Sequence, residues 1–360
     1  MQSIKYVQNG KGQRVAEEVP NTQRFTLRNS VGDVTDTGLG FQIAYDTLTY
    51  IKKDVVTQKF YDVDEGLATY VPMPVGEGAF SQSILTNLDY LNSGDFESGI
   101  INTGSSNDRL AQSDASVSSK TVDVANWAKG IGYSVFDIEQ ALMANNWDAI
   151  AAKERARKKG WDLGIQALTF LGSKTNPTSF PGLLTSSEIN VNTLLIQQPI
   201  STMNAADFAT FVAGLIKAYW INSKKTAKPD RFLIPYEDFY GLQTFVPNVI
   251  GTGEGNYPVS RLDYLEKAFK AASKNPNFKI LPLAYCDADT NKDWGIDKNL
   301  YLLYRFDADS VRMDIPVDYT VTQANTLNNF QFQSAAYGSF TGVHFYRPLE
   351  GLLFEYTPGS

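Results

Sequence analysis

The acidic segment Asp287–Asp293 has residue types whose spacing could hold a cation, because an acidic or amide side chain occupies every second position. Oxygen ligands alternate in this way at the start of a calcium-binding loop. However, the sixth position is Lys292, where such a loop needs glycine, and the twelfth is Lys298, where it needs a bidentate glutamate. The sequence therefore favours a solvated acidic loop over a calcium site.

Two other segments have the composition of a phosphate or nucleic-acid site. Gly251–Gly255 is rich in glycine, but no Gly-Lys-Ser/Thr follows it, so we interpret it as a flexible loop. Arg155–Lys159 is a basic run within a helical pattern, flanked by Glu154 and Asp162. These opposing charges favour a solvated helix face or an intersubunit salt-bridge strip over a nucleic-acid contact.

The chain has one histidine, His344, and one cysteine, Cys286. Catalytic triads, histidine-zinc sites and two-histidine iron sites all need more histidines than this. Both residues lie in strand-like segments, so we expect a structural histidine and a small buried cysteine. No nucleophile and base stand at a defined spacing, and we predict no catalytic residue, no metal and no cofactor.

The composition is that of a folded protein. Of the 360 residues, 43% are hydrophobic, 12% aromatic and only 20% charged. The net charge of −7 disfavours tight, non-specific binding to nucleic acid over most of the surface. With a single cysteine, a polar N-terminus and no apolar run of membrane-spanning length, the chain is expected to be soluble and made in a reducing compartment.

Hydrophobic periodicity predicts elements that would position these residues. Residues 1–37 are predicted to form an extended arm, and the polar stretch 92–120 a long loop that is surface-exposed or functional. Helices are predicted over 38–52, 134–144, 147–171, 205–222 and 259–272. Strands are predicted over 70–75, 78–90, 231–235, 280–285, 300–305 and 339–348.

The predicted helix 147–171 carries a stripe that is apolar at both ends and charged in the middle. Glu154 and Lys158 are four residues apart and are expected to pair. A helix that is apolar at its two ends spans between cores, which predicts an elongated molecule. The stripe consists of Trp147, Ala151, Glu154, Lys158, Trp161, Ile165 and Leu168.

The order of these elements, with several short motifs, resembles the major capsid proteins of tailed phages that have the Hong Kong 97-type fold, an α+β fold. The resemblance covers about residues 38–356. The motifs that carry it are Tyr133–Leu142, Ala151–Arg157, Leu171-Gly172, Phe180–Leu184, Leu303-Tyr304 to Ile315-Pro316, Tyr337–Val343 and Arg347-Pro348.

The resemblance implies a division of the chain into an N-terminal arm, an extended loop that reaches over a neighbour, a peripheral domain with a long spine helix, and an axial domain. The implied segments are the arm 1–37, the peripheral domain 38–89, the extended loop 90–125, the peripheral domain with its spine helix 126–199, the axial domain 200–312, and a return to the peripheral domain 313–360.

The implied function is a structural subunit that self-assembles into an icosahedral shell of hexamers and pentamers around double-stranded phage DNA. It would be made in the host cytoplasm and reside in the virion capsid, with no cofactor and no membrane. Its partners would be further copies of itself, portal and scaffolding proteins, and a decoration protein. The alternatives are an encapsulin-like nanocompartment shell and a carboxylate-dependent hydrolase.

The resemblance also assigns assembly contacts. Ile100, Ile101 and Leu110 would dock the loop on a neighbour. The spine would be anchored by Trp147, Trp161, Ile165 and Leu168, with Glu154 and Lys158 at its centre. Some members of the family join the loop to a neighbour through a Lys–Asn isopeptide bond. Lys120 lies at the return of the loop rather than at its tip, and we expect no such cross-link here.

Overall fold

The structure is a computed structural model that describes residues 4–8, 14–18, 66–76, 78, 83–93, 114–143, 149–243, 260–328 and 330–358. The chain divides into two compact units. Within the described residues, the first contains the hairpin of the N-terminal region together with parts of 128–161 and 321–336. The second contains most of the remaining chain, including the larger hydrophobic core.

Four of the five predicted helices are confirmed to within two residues at each end. The predicted helix 38–52 lies outside the described residues. The helices are α1 Val135–Met143, α2 Ala149–Leu171, α3 Ala205–Asn222, α4 Tyr236–Leu242, α5 Arg261–Ser273 and α6 Ala288–Asn291.

The start of α1 shows why the sequence pattern worked. Ser134 Oγ accepts a hydrogen bond from the backbone N–H of Asp137 at 3.1 Å, and the Asp137 carboxylate accepts the N–H of Ser134 at 3.0 Å. This reciprocal cap satisfies donors that the first turn of a helix leaves unpaired.

The strands are β1 Ile4–Gln8, β2 Arg14–Glu18, β3 Ile84–Ser93, β4 Asp114–Asp123, β5 Ala125–Ser134, β6 Asn190–Asn192, β7 Arg231–Ile234, β8 Lys279–Pro282, β9 Asn299–Tyr304, β10 Val311–Arg312, β11 Val317–Val321, β12 Asn325–Asn328, β13 Gln331–Phe340, β14 His344–Phe345 and β15 Gly351–Tyr356. A four-stranded sheet contains β11, β13 and β12, with β5 also paired to β13.

Three strand predictions are wrong in part. The strand predicted over 280–285 ends at Pro282, and Ala284–Cys286 form a 3₁₀ turn. Residues 70–75 form no strand, and only Val75 makes an isolated bridge, to Ile315. The predicted strand 339–348 is instead the end of β13, the short strand β14 and a 3₁₀ turn. The chain leaves β13 because Thr341 donates to the Asp314 carbonyl and Val343 to the Pro181 carbonyl, so these backbone groups pair with loops rather than with a sheet.

The polar stretch 92–120 is not a loop throughout. Asp114–Asp123 forms β4, which pairs antiparallel with β3 over ten residues, so that Asn87 lies opposite Lys120. Composition misled the prediction because serine and threonine are accepted in a strand whose backbone is satisfied by a partner. We call this pair of strands the ribbon.

The larger core lies on one face of a five-stranded sheet in the order β6-β15-β9-β7-β8. Strand β9 runs antiparallel to both of its neighbours, while β6 is parallel to β15 and β7 to β8. Helices α3, α4 and α5 supply apolar side chains to this core, and β6 and β15 come from outside the segment 200–312. Its fully buried side chains include Phe208, Leu215, Tyr219, Phe232, Leu242, Leu265, Tyr301, Leu303 and Phe354.

Helix α2 ends in a close backbone contact between two glycines. Gly172 has a φ of +74°, and a Cβ placed on Gly182 would lie 2.3 Å from the Gly172 nitrogen. The contact is held because Leu183 N–H donates to the Thr169 carbonyl at 2.8 Å and Leu184 N–H to the Phe170 carbonyl at 3.0 Å. The motifs Leu171-Gly172 and Phe180–Leu184 therefore form one structural feature, which we call the glycine seam.

The glycine seam predicts that Gly182→Ala lowers the free energy of unfolding by at least about 2–3 kcal/mol, because backbone rather than a flexible side chain must move. Gly160→Ala, at a position within helix α2 where an added Cβ would have no neighbour within 4 Å, is the matched control. It should stabilise the subunit by about 0.5–1 kcal/mol. Urea unfolding of the unassembled subunits measures both, and equal effects of the two substitutions would show that the seam is not tightly packed.

Candidate assembly site

The base of the ribbon is bound to the rest of its unit by the Lys120 side chain. Its ammonium group donates to Glu188 Oε1 at 2.7 Å and to the Phe345 carbonyl at 2.8 Å, and it lies 5.0 Å from the centre of the Tyr346 ring. Glu188 also accepts the backbone N–H of Phe345 at 2.7 Å. One carboxylate thus joins strand β4 to strand β14.

The opposite strand of the ribbon is bound through Asn87. Its amide donates to the Tyr346 hydroxyl at 2.7 Å and accepts a hydrogen bond from Arg312. The Arg312 guanidinium lies 4.6 Å from the centre of the Tyr346 ring and 3.3 Å from Asp314. We call Asn87, Lys120, Glu188, Arg312 and Tyr346 the ribbon clamp.

The two faces of the ribbon differ in exposure. Val122 faces inward and is buried, next to the clamp residues, whereas Ile84 and Leu88 are 55% and 58% exposed on the other face. In a pleated strand, residues two or four apart share a face, so Ile84 and Leu88 lie on the same face, on either side of the exposed Thr86. The clamp therefore fixes the ribbon with two large apolar side chains turned to solvent.

The negative charge of the ribbon clamp is that of the Glu188 carboxylate, so it depends on the pKa of this group. Burial on its own would raise the pKa of this carboxyl, but the hydrogen bonds from His344 and Lys120 and the charge of Lys120 outweigh burial and lower the pKa below its ordinary value. His344 Nδ1 lies 3.4 Å from Glu188 Oε1. His344 is buried in β14, so the predicted location of this histidine in a strand is confirmed.

We predict that Glu188→Gln lowers the free energy of unfolding by about 1–3 kcal/mol at pH 7, because Lys120 loses its charged partner. A carboxyl with a lowered pKa stabilises the fold above its unfolded pKa, near 4.3, and this contribution is lost as the pH falls through the folded pKa. The difference between wild type and variant should therefore shrink from pH 6 to pH 3. A difference that does not change with pH would contradict the clamp's electrostatic role, and denaturant titrations at each pH measure it.

The predicted assembly contacts, on the extended loop and on helix α2, divide into three groups. Ile100, Ile101, Leu110 and Trp147 lie outside the described residues. Glu154 and Lys158 are exposed, and the ion pair between them stays a prediction. Trp161 and Ile165 are each 6% exposed and Leu168 is half-buried, which fits a helix anchored within its own chain. Contacts of these residues with neighbouring subunits also stay predictions.

The basic run on this helix contains a buried charge that sequence reasoning missed. Arg157 is 1% exposed, and its guanidinium donates to the Ser334 carbonyl at 3.0 Å. The neighbouring Arg155, Lys158 and the upstream Glu154 are exposed, as a solvated face requires. Arg157 precedes Trp161 by four residues, so the two lie on the same face of a helix. This spacing is the sequence signal that could have predicted the burial of Arg157.

Arg157→Met should lower the free energy of unfolding by about 1–3 kcal/mol, because it leaves a buried carbonyl without its donor. Arg155→Met is the control, with an expected change within about 0.5 kcal/mol. Thermal unfolding of the two variants compares them. If both variants lose the same stability, Arg157 has no special role in the packing of β13 on α2.

The acidic segment Asp287–Asp293 is partly structured. It contains α6 and a 3₁₀ turn, and Asn291 is fully buried with its amide donating to the Tyr285 carbonyl. No group of three or more potential ligands capable of holding a metal occurs within the described residues. Cys286 is buried, which raises the pKa of its thiol. Gly251–Gly255 lies outside the described residues.

None of the helices in the described ranges combines the length and hydrophobicity that a membrane span requires. What these residues do contain is an α+β chain with a clamped β-ribbon, a long helix that ends in a glycine seam, and an α/β sheet with one antiparallel strand. These features define a Hong Kong 97-type fold, and structural comparison confirms it.

The capsid protein of Myoviridae phage XM1 superposes with a TM-score of 0.64 at 16% sequence identity, covering 86% of this chain and 97% of that one. The capsid of cyanophage P-SCSP1u aligns with a TM-score of 0.49 at 12% identity, over 93% and 98% of the two chains. The SrpI encapsulin of Synechococcus elongatus has a TM-score of 0.46 at 10% identity, over 87% and 94%. At these identities, the XM1 match establishes the fold.

The sequence profile of the major capsid protein family matches residues 98–352, which is more than two thirds of the chain. A search of curated proteins found no match. The chain belongs to the major capsid protein family. It is therefore a structural shell protein that associates with copies of itself and belongs in the virion capsid.

Proposed function

We propose that this chain forms the hexamers and pentamers of an icosahedral shell that encloses double-stranded phage DNA. The observation that carries the proposal is the ribbon. Its base is clamped by Lys120 and Glu188, and its outer face leaves Ile84 and Leu88 exposed. Two-stranded ribbons are marginally stable alone, so two large exposed side chains on one of them are suited to contact with another surface.

The covering surface in this proposal is a neighbouring subunit. Residues 94–113 connect the two strands of the ribbon in the sequence and include Ile100, Ile101 and Leu110, and in this proposal these three side chains dock on the neighbour. Because every subunit both extends a loop and receives one, the contact repeats around a ring and between rings. Repetition of many such contacts lets a shell form even when each contact is weak.

The remaining partners are proposed from the family. A portal protein at one vertex, a scaffolding protein during assembly and a decoration protein on the outer surface complete the particle, which is made in the host cytoplasm. The acidic net charge of −7 supports a shell that holds DNA by enclosure rather than by tight contact with the phosphate backbone. The chain acts as a structural subunit, with no catalytic step in this role.

Replacing residues 94–113 with Asn-Gly tests the loop. Ser93 and Asp114 are paired at the end of the ribbon, so a two-residue hairpin turn can join them without disturbing the clamp. The variant should keep the stability of the unassembled wild-type subunit and fail to form shells. Electron microscopy and analytical ultracentrifugation compare the two proteins.

Normal shell yield from this variant would overturn the docking role of the loop. The contents of wild-type shells test whether the shell encloses double-stranded phage DNA. Nuclease-resistant double-stranded DNA is expected within particles from infected cells, whereas particles filled with a cargo protein and no DNA would favour an encapsulin-like compartment.

A further inference from the structure

The exposed side of helix α3 ends in a surface that is both apolar and basic. Trp220 and Ile221 are 39% and 63% exposed, and Lys217, Lys224 and Lys225 are exposed beside them. Within the described part of the chain, none of these lysines forms an ion pair. We call these five residues the basic end.

The backbone of the basic end carries strain that a glycine would remove. Lys224 N–H donates to the Ile221 carbonyl at 3.1 Å and Lys225 N–H to the Trp220 carbonyl at 2.9 Å, the pairing of a Schellman motif. Lys224 and Lys225 have φ values of 50° and 65°, a region in which glycine is favoured and side chains are disfavoured. Lysines that occupy strained positions point to a function for their side chains.

A second surface of the same unit is lined by carboxyl groups. Glu237, Asp287 and Asp289 lie close enough for their charges to interact, and Tyr240 beside them is 61% exposed. Burial, together with repulsion from Glu237, Asp238 and Asp289, raises the pKa of Asp287 to about 7 despite a hydrogen bond from the Tyr236 backbone. We call Glu237, Tyr240, Asp287 and Asp289 the acidic end, where Lys292 is paired with Asp289 at 2.5 Å.

The two surfaces lie at opposite ends of the parallel strands. The basic end precedes β7 in the chain, and Glu237 comes three residues after β7 ends at Ile234. Asp289 follows β8, which runs parallel to β7 and pairs with it over its full length. The four residues of β7, a length of about 13 Å at 3.3 Å per residue, lie between the two ends in the chain.

We infer that the basic end of one copy of the chain binds the acidic end of a second copy. The charges are complementary, and Trp220 and Tyr240 are aromatic residues of the kind that dominate contact energies. The two surfaces differ, so the contact is heterologous, and repetition around a rotation axis closes a ring. This inference rests on the proposed function and names the contact that holds the ring together.

Double-stranded DNA is the rival occupant of the basic end, since lysine and tryptophan also bind phosphates and bases. The second copy is favoured because the same chain presents an acidic surface, and because a chain of net charge −7 repels DNA over most of its surface.

Charge reversal in the full-length chain tests the contact. Lys224→Glu with Lys225→Glu should raise the protein concentration needed for half-maximal assembly by about tenfold or more, since like charges then face each other. Glu237→Lys with Asp289→Lys should do the same. Combining all four substitutions should restore assembly to within about threefold of wild type. Lys267→Glu, at an exposed position on α5, is the control and should change nothing.

Lys224→Gly separates assembly from folding. Glycine relieves the left-handed conformation, so the melting temperature of the unassembled subunit should rise, yet the concentration needed for assembly should also rise. Mass photometry across a dilution series, with melting curves of each variant, gives both quantities. A variant that is more stable and assembles less well cannot be explained by misfolding.

Three results would overturn the inference. If the Lys224→Glu, Lys225→Glu variant forms shells at the wild-type concentration, assembly does not need this contact, and the proposed shell function still stands. Failure of the four-substitution variant to regain assembly, with its fold intact, would show that the two ends do not meet. If the Lys224→Glu, Lys225→Glu variant assembles normally but no longer binds a fluorescent double-stranded oligonucleotide that the wild type binds, the basic end is a DNA-binding surface. A wild-type chain that never assembles would refute the proposed function itself.

Discussion

The carboxylate of Glu188 is the point on which the ribbon's position depends. It accepts hydrogen bonds from Lys120 on β4 and from the backbone of Phe345 on β14, so that one side chain joins two strands that are far apart in sequence. Without a fixed base, a two-stranded ribbon would have no defined direction, and its exposed residues Ile84 and Leu88 could not meet a neighbour in one geometry. The clamp therefore gives the ribbon one fixed direction.

The glycine seam provides the second fixed point. It joins the end of helix α2 to the turn that leads into the five-stranded sheet, through backbone hydrogen bonds that no side-chain substitution can replace. The subunit buries a hydrophobic core, yet it leaves Ile84 and Leu88 on the ribbon exposed. Trp220 and Ile221 at the end of helix α3 are exposed as well. A protein that is stable in its core and apolar at selected edges is suited to assembly from many copies.

Local sequence patterns predicted the helices well, because Ser134 caps α1, Gly172 follows α2 and apolar spacing marks α3. They failed where distant partners decide the outcome. Strand β4 was predicted as a loop because its serines have low strand propensity, and only pairing with β3 makes it a strand. Arg157 was assigned to a solvated face because the carbonyl that binds it, at Ser334, is 177 residues away. The clamp was missed for the same reason, since Lys120, Glu188 and Arg312 are far apart in the chain. The family resemblance supplied the architecture that periodicity alone could not.

Cryo-electron microscopy of particles formed by the full-length chain tests the central claim most directly. The account predicts closed shells in which subunits surround fivefold and sixfold axes, with the ribbon of each subunit lying on its neighbour and density covering Ile84 and Leu88. A protein that remains a monomer of 39.9 kDa under crowding agents and high salt, or shells in which the ribbon touches no other copy, would contradict it.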